Sequence, residues 1–418
     1  MVKATLLMLF NSMTRKLEEF QPLEKGKVRL YTCGPSIYQL PHIGNYRTFL
    51  YEDILFRYLE YLGYRVKRTI FITDVEDKAI AEAEKEKTTL KELTQRNSEI
   101  FLKELQKLGA KKPDYITRSS TSVDHAVRLI TTLLQKGYAY KYRGNIYYDP
   151  LKFKDFGKLY RLDMSRWPKK KRRFHKDTYP GNRWNLGDFI IWHGYQKGDK
   201  EVYWDTSLGK GRPAWNIQDP SMALTSLGLK VDIYCGGVDN MIRHHDYVIA
   251  VVEGTTGEPF ARYWLHGEHL FVDGKKMSKS RGNIIYPKDL IERGCLWQHI
   301  RFFLINGYYR KRLNFTVDKF KKACDRLHRF KDMVNNLQNV KTKAERSNQK
   351  TKKLIFQLKK DFEECMNNDL HVKAAFDALF KTVSKLVSLA EKGRLSFEDA
   401  EETVATLKSI DQVLQVIF

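Results

Sequence analysis

The stretch Lys275–Asn283 sets four cations, Lys275, Lys276, Lys279 and Arg281, among two serines, a glycine and an asparagine. A mostly apolar run, Trp264–Val272, and an Asp-Gly turn at Asp273–Gly274 come before it. The order reads as strand, turn, then a mobile basic loop. Lys276 and Lys279 flank Met277 and Ser278, and from such a loop they can grip a polyphosphate. Alone, a basic loop is as readily a solvated surface. A second stretch, Pro41-His42-Ile43-Gly44-Asn45, makes the chemical reading stronger. It follows a short strand at Lys27–Cys33 and a Gly34-Pro35 turn. It opens a helix expected over Tyr46–Leu62, with Phe49, Ile54, Leu55, Tyr58, Leu59 and Leu62 at helical spacing. A strand leading into a helix N-terminus is an anion site, and Gly44 lets a ligand come close. His42 and Asn45 can donate hydrogen bonds to a phosphate there, whereas a histidine that only caps the helix or fills the core would do no chemistry.

Taken together and in this order, the two stretches resemble the paired signatures of class I aminoacyl-tRNA synthetases. Within that class the chain is similar to cysteinyl-tRNA synthetases. The matching blocks are Leu30–Tyr38, Phe71–Lys78, Gly211–Trp215 and Asp232–Asp246, in family order from about Leu7 to about Phe315. The resemblance implies an α/β fold: a Rossmann-like nucleotide-binding catalytic domain with an inserted α/β subdomain, followed by an α-helical bundle. It also implies ATP-dependent activation of an amino acid, with Mg²⁺ accompanying the ATP, and transfer to tRNA. His42 and Asn45 would hold the phosphates, and Lys276 and Lys279 would neutralise the β- and γ-phosphates. Gly44, Ser278 and Ser280 would support them, Gly236 and Gly237 would lie under the adenosine, and Asp239 would contact the ribose. Asn45 stands where the motif usually ends in histidine, and as a donor it should preserve activity.

Composition bounds the rest. The 418 residues leave room for two or three domains. No run of eighteen apolar residues suggests a membrane span, no signal peptide is read, and five cysteines suit a reducing cytoplasm. A monomer is expected. The net charge of +24 points to a polyanionic partner, with nucleic acid first. It is unevenly spread: residues 301–360 hold 18 Lys and Arg against 4 Asp and Glu, whereas residues 361–418 hold 6 against 11.

In chain order, residues 1–108 read as the first half of the catalytic domain, with a second strand over Val66–Thr73 and charged helix over Asp77–Leu108. Residues 109–210 read as the insertion. Its basic loop, Lys169, Lys170, Lys171, Arg172 and Arg173, is interleaved with Trp167, Phe174, Tyr179 and Trp184, which suits phosphate contact and base stacking by a tRNA acceptor end. Residues 211–315 return to the catalytic domain. Residues 316–418 show helical periodicity throughout, with helices expected over Val317–Val340, Thr351–Met366, His371–Ala390 and Ser396–Phe418. Family members usually carry a small anticodon-binding piece after such a bundle, and the sequence ends before one.

The amino-acid pocket implied by the resemblance comprises Cys33, Gly34, Tyr38, Thr73, Trp215 and Asp219. Here the chain departs from the family, whose members hold Zn²⁺ through two cysteines, a histidine and a glutamate. Cys33 and His244 occupy two of those positions, but Asp219 stands for the second cysteine and Val248 for the glutamate. Asn216, Gln218 and Tyr234 also replace family residues. Cys33, Asp219 and His244 leave a three-ligand site open, with Cys235 or a substrate atom as a fourth. Three readings follow: a cysteine–tRNA ligase, a paralogue that uses another amino acid or a small-molecule amine acceptor, and a non-catalytic tRNA-binding protein.

Overall fold

A computed structural model of the chain describes residues 6–166, 188–197, 202–341 and 349–418. Its centre is a five-stranded sheet, all parallel: β1 (Lys27–Thr32), β2 (Arg65–Ile72), β3 (Tyr115–Arg118), β4 (Val231–Gly237) and β5 (Ala261–Gly267). The order across the sheet is β5-β4-β1-β2-β3. Direction of travel reverses between β1 and β4, and in such sheets ligands bind outside the strand C-termini at that switch point. The register sets Leu30 and Tyr31 against Ile233 and Tyr234. Strand β4 is buried throughout, as a parallel strand covered on both faces must be.

Helix α1 (Ile43–Tyr61) crosses from β1 to β2 and is buried nearly all round. One side lies on the sheet; elsewhere it meets the helical C-terminal region, where Tyr58 donates to Asn367 at 2.8 Å and Tyr61 to Glu363 at 2.9 Å. Helices α2 (Trp215–Leu224) and α3 (Asp246–Thr256) flank β4, and α4 (Trp297–Ile305) packs on α1. The bundle is α5 (Val317–Gln338), α6 (Gln349–Asn367), α7 (Val372–Glu391) and α8 (Phe397–Leu414). Its apolar stripes, such as Phe320, Leu327, Phe330, Val334 and Leu337 on α5, recur at three, four and seven residues and join one core with α1.

Several expectations change in detail. The run Trp264–Val272 is not one strand. It ends at Gly267, and Leu270–Val272 leaves for a separate sheet with Lys275–Lys276 and Leu313–Phe315. The charged segment after Asp77 is two helices, Asp77–Lys85 and Leu90–Lys107, because Thr89 and Glu92 form a capping box that starts the second. Residues 296–315 are helical only through Ile305, and then turn at Gly307 into the Leu313–Phe315 strand. Edge strand β3 falls inside the segment read as an insertion. The antiparallel sheet beyond it runs through Ala139–Tyr142, Asn145–Tyr148, Phe189–Gly194 and Gly211–Pro213. The basic loop at Lys169–Arg173 lies outside the described residues. Among the described residues no helix is long and apolar enough to cross a membrane.

The turn after β1 depends on glycine for space. A Cβ on Gly34 would lie 1.7 Å from the carbonyl oxygen of Phe71, in the backbone of β2. We expect Gly34→Ala to push the two strand ends apart, costing about 1–3 kcal/mol, seen as a lower urea midpoint. A change below a few tenths of a kcal/mol would show that the turn yields freely.

Candidate active site

At the switch point, β1 runs out at Thr32 and α1 starts at Ile43. His42 is the N-cap. Its Nδ1 accepts from the Gly44 amide at 3.1 Å, while the Asn45 side-chain oxygen accepts from the His42 amide at 3.1 Å. Asn45 therefore closes a capping box, a task an amide oxygen performs well. The His42 ring is neutral. Burial holds its pKa down to about 4, with the charge of Asp239 acting the other way. Since Nδ1 accepts, Nε2 carries the hydrogen and is a donor. The remaining amides of the first turn add to the positive end of the helix.

The basic loop rests on this turn. Met277 is buried, and a Cβ on Gly44 would lie 2.6 Å from its Cε. The Ile43 amide donates to Ile285 O at 3.0 Å. The loop also braces itself: the Ser278 amide donates to the Asn283 side chain at 2.9 Å, Arg281 donates to Lys276 O at 3.1 Å, and the Ser278 and Ser280 hydroxyls lie 3.3 Å apart. Lys276 is exposed on the strand that precedes the turn. Lys279 opens a 3₁₀ turn, and its side chain lies outside the described set. His269, just past β5, senses both Asp239 and Lys276, so the loop and the Asp239 carboxylate share one electrostatic neighbourhood.

Below the turn lies a pocket of about 200 Å³. Cys33, Gly34, Asn45, Thr73, Trp215, Asp219, Gly237, Asp239 and His244 line it, so the structure gathers these residues from both halves of the sequence. Ser36, Thr48, Phe49, Phe71 and Asn240 line it too and were not singled out from sequence. Ser36 and Asn240 directly follow motif residues, Thr48 and Phe49 lie about one helical turn beyond Asn45, and Phe71 lies near the end of β2, which is the signal that could have found them. Gly236 sits beneath, its amide and carbonyl both bonded to the Tyr51 hydroxyl at 3.1 and 2.9 Å. Tyr38 does not border the pocket; the Lys78 ammonium lies over its ring, 5.4 Å from the centroid.

The floor of the pocket is a hydrogen-bonded chain. Asp219 Oδ2 accepts from the buried Tyr234 hydroxyl and meets His244 Nε2 at 2.8 Å. Burial and the neighbouring carboxylate push the Tyr234 phenol well up, so it stays a donor. Trp215 stacks on His244 with ring centroids 3.8 Å apart. The next histidine is committed elsewhere, because His245 Nδ1 meets His266 at 2.8 Å and His266 meets Ser12 at 2.8 Å. His244 and His245 sit on a π-helical turn, Met241–His245, rather than an ordinary helix, which splays the two rings 43° apart.

The candidate zinc residues do not come together as a ready ligand set in this structure. Among the described residues no three His, Cys, Asp or Glu side chains are arranged to hold a metal ion. Cys33, Asp219 and His244 border one pocket without forming a ligand set. Asp219 is spent on Tyr234 and His244, and Val248 is a buried apolar residue of α3 with no donor. Burial first, and then Glu52, push the Cys33 thiol well up in the metal-free chain.

A family model described as the class I tRNA synthetase (C) catalytic domain matches residues 19–325. A cysteine–tRNA ligase of Chlamydia pneumoniae is 39% identical over 413 residues, covering 98% of this chain and 86% of that one. One from Brachyspira hyodysenteriae is 35% identical with the same coverage. Among solved structures, a Mycobacterium tuberculosis methionyl-tRNA synthetase in complex with methionyl-adenylate superimposes with a TM-score of 0.66 at 15% identity, covering 94% of this chain and 90% of that one. That likeness speaks for the fold. With the Lys275–Asn283 loop resting on the turn that His42 caps, these matches establish that the chain belongs to the class I tRNA synthetases, in their cysteine–tRNA ligase family.

Proposed function

We propose that the protein activates cysteine with ATP and transfers it to tRNA. The observation that carries this reading is the docking of Met277 and Ile285 against the first turn of α1. It brings the basic loop against the turn that carries the neutral donor His42, which supports a triphosphate site between them. In the first step the carboxylate oxygen of the amino acid bonds to the α-phosphorus, and the bond to the β-phosphate bridge breaks to release pyrophosphate. Charge builds on phosphate oxygens, so the work is positioning and electrostatics, with no covalent bond to the protein. His42 Nε2–H and the helix N-terminus face that charge; Lys276 and Lys279 take the β- and γ-phosphates. Mg²⁺, arriving with ATP, supplies further neutralisation. Gly236 and Gly237 let the adenosine lie close to β4, and Asp239 accepts from the ribose. In the second step a terminal ribose hydroxyl of tRNA attacks the activated carbonyl and AMP leaves.

The tRNA would be held by phosphate contacts from Lys169–Arg173 and the basic face within residues 301–360. The test is exchange of pyrophosphate into ATP across all twenty amino acids, followed by tRNA charging over a salt series. We expect exchange with cysteine, and charging whose tRNA KM rises steeply with salt. Exchange with a different amino acid would overturn cysteine as substrate, and salt-indifferent charging would overturn the basic tRNA face.

A further inference from the structure

We propose that a cleft at the edge of the central sheet binds a small amphipathic organic anion, with an apolar body and one anionic head group. The cleft has a volume of about 600 Å³, within the range of small-molecule sites. It shares no lining residue with the pocket below the His42 turn. Its shape follows from the path of the chain. The Leu90–Lys107 helix ends, Gly109 turns the chain with φ in the left-handed region, and residues 110–113 lead into edge strand β3. Ile70 of β2 and Ile116 of β3, partners in register, give the cleft its apolar lining from the sheet. Leu102 and Leu105 supply it from the helix, and Pro113 from the connection.

Charge then sets the ligand class. Among the described residues no acidic side chain lines the cleft, whereas four cationic ones do. Two of the four are committed. Arg68 is fully buried and donates to Thr32 Oγ1 at 3.1 Å, with Asp53 at 3.7 Å, and the Lys111 ammonium lies 2.6 Å from Glu60. Lys103 on the helix and Lys112 on the connection are exposed and, among the described residues, carry no ion pair. A head group entering the cleft therefore meets positive charge from two elements. A lysine ammonium is a compact charge on a flexible stem, so it selects for negative charge rather than for a planar fork, and a sulfonate, carboxylate or phosphate ester serves. A nucleic-acid strand is the poorer fit. Unpaired bases stack on aromatic rings, and the described lining is aliphatic.

The test titrates the full chain with two fluorescent probes in saturating ATP and Mg²⁺. One is anilinonaphthalene sulfonate; the other is phenylnaphthylamine, the same rings without the sulfonate. We expect the sulfonate to bind more tightly than the neutral probe. The pair Lys103→Gln with Lys112→Gln raises the Kd of the sulfonate by about 3- to 30-fold, the effect of two exposed charge contacts. The same pair changes the Kd of the neutral probe by less than about 2-fold. Gln106→Trp puts an indole into the cleft from an exposed position on the helix, and weakens both probes by about 10-fold or more. Unchanged urea midpoints show that the variants fold; should Gln106→Trp not fold, the lysine pair and the two probes still decide. Absence of sulfonate binding overturns the proposal, as does binding indifferent to Gln106→Trp, which places the probe elsewhere. Equal response of the two probes to the lysine pair overturns the anionic head. Displacement of the sulfonate as ATP is raised assigns it to the catalytic pocket, and displacement by equimolar tRNA makes the cleft part of a polyanion surface; either result overturns a separate small-molecule site.

Discussion

His42→Ala lowers the rate of cysteine-dependent pyrophosphate exchange by about 10²- to 10³-fold, the usual effect of removing one preorganised donor at developing charge. Two features set this size. The ring caps α1 through Nδ1, so its orientation is fixed before substrate arrives. Burial holds its pKa to about 4, so Nε2 donates as a neutral group at any working pH. Losing the cap costs about 1 kcal/mol of stability, too little to explain the rate. His42→Asn, which keeps a capping oxygen and a donor, should lose less than His42→Ala.

The pH dependence has a definite sign. A histidine depressed in the folded state binds its proton more readily when unfolded, where its value is about 6.5. The stability that this group contributes is complete above about pH 6.5 and is lost as pH falls towards 4. His42→Asn removes that dependence, so on acidification the unmodified protein loses stability that the variant keeps. Exchange rates should show no acid limb from His42 between pH 5 and 8. A limb near pH 6.5 that disappears in His42→Asn would sink the neutral-donor account.

What the sequence made legible was local. The His42–Asn45 turn and the Lys275–Asn283 loop each declare a chemistry within a few residues, and β1, β2 and β4 show as apolar runs between turn signals. Helical periodicity in the bundle survives because each stripe faces one core. Long-range pairings were hidden. Asp219, Tyr234 and His244 were visible as departures from the family, yet their union in one hydrogen-bonded chain depends on α2, β4 and a π-helical turn coming together. His269 was missed because one histidine beyond Gly267-Glu268 carries no pattern. Strand β3 was missed because a four-residue edge strand, partly exposed, lacks the apolar run of the central strands. Asn45 was read as a phosphate donor; its side-chain oxygen turns out to close the cap on His42, a backbone role that a spacing argument assigns only when the N-cap is known.

The site depends on how firmly α1 is anchored behind it. Asp53, about three turns beyond the N-cap, is fully buried. It accepts from Arg301 at 2.8 Å, from Arg57 at 3.0 Å and from the Lys111 amide at 2.8 Å, with Arg68 at 3.7 Å. Burial alone would raise its carboxyl, but Arg301, Arg57 and Arg68 hold it below the ordinary value. Arg301 also donates to Leu108 O at 3.0 Å and to Leu414 O at 2.7 Å, tying α1, α4, the Leu90–Lys107 helix and the end of the bundle to one point. Asp53→Ala leaves a buried guanidinium without its counter-charge, and we expect a loss of about 3–5 kcal/mol, read as a fall in the urea midpoint of the helical signal. The double change Asp53→Leu with Arg301→Met removes both charges, so it should recover most of that loss. Recovery would assign the cost to the stranded charge; equal damage in the single and double variants would mean that Arg301 matters for its two carbonyl contacts instead. Because the same helix carries His42 at its first turn, Asp53→Ala should also lower exchange activity at temperatures below its unfolding transition, and the double variant should regain it.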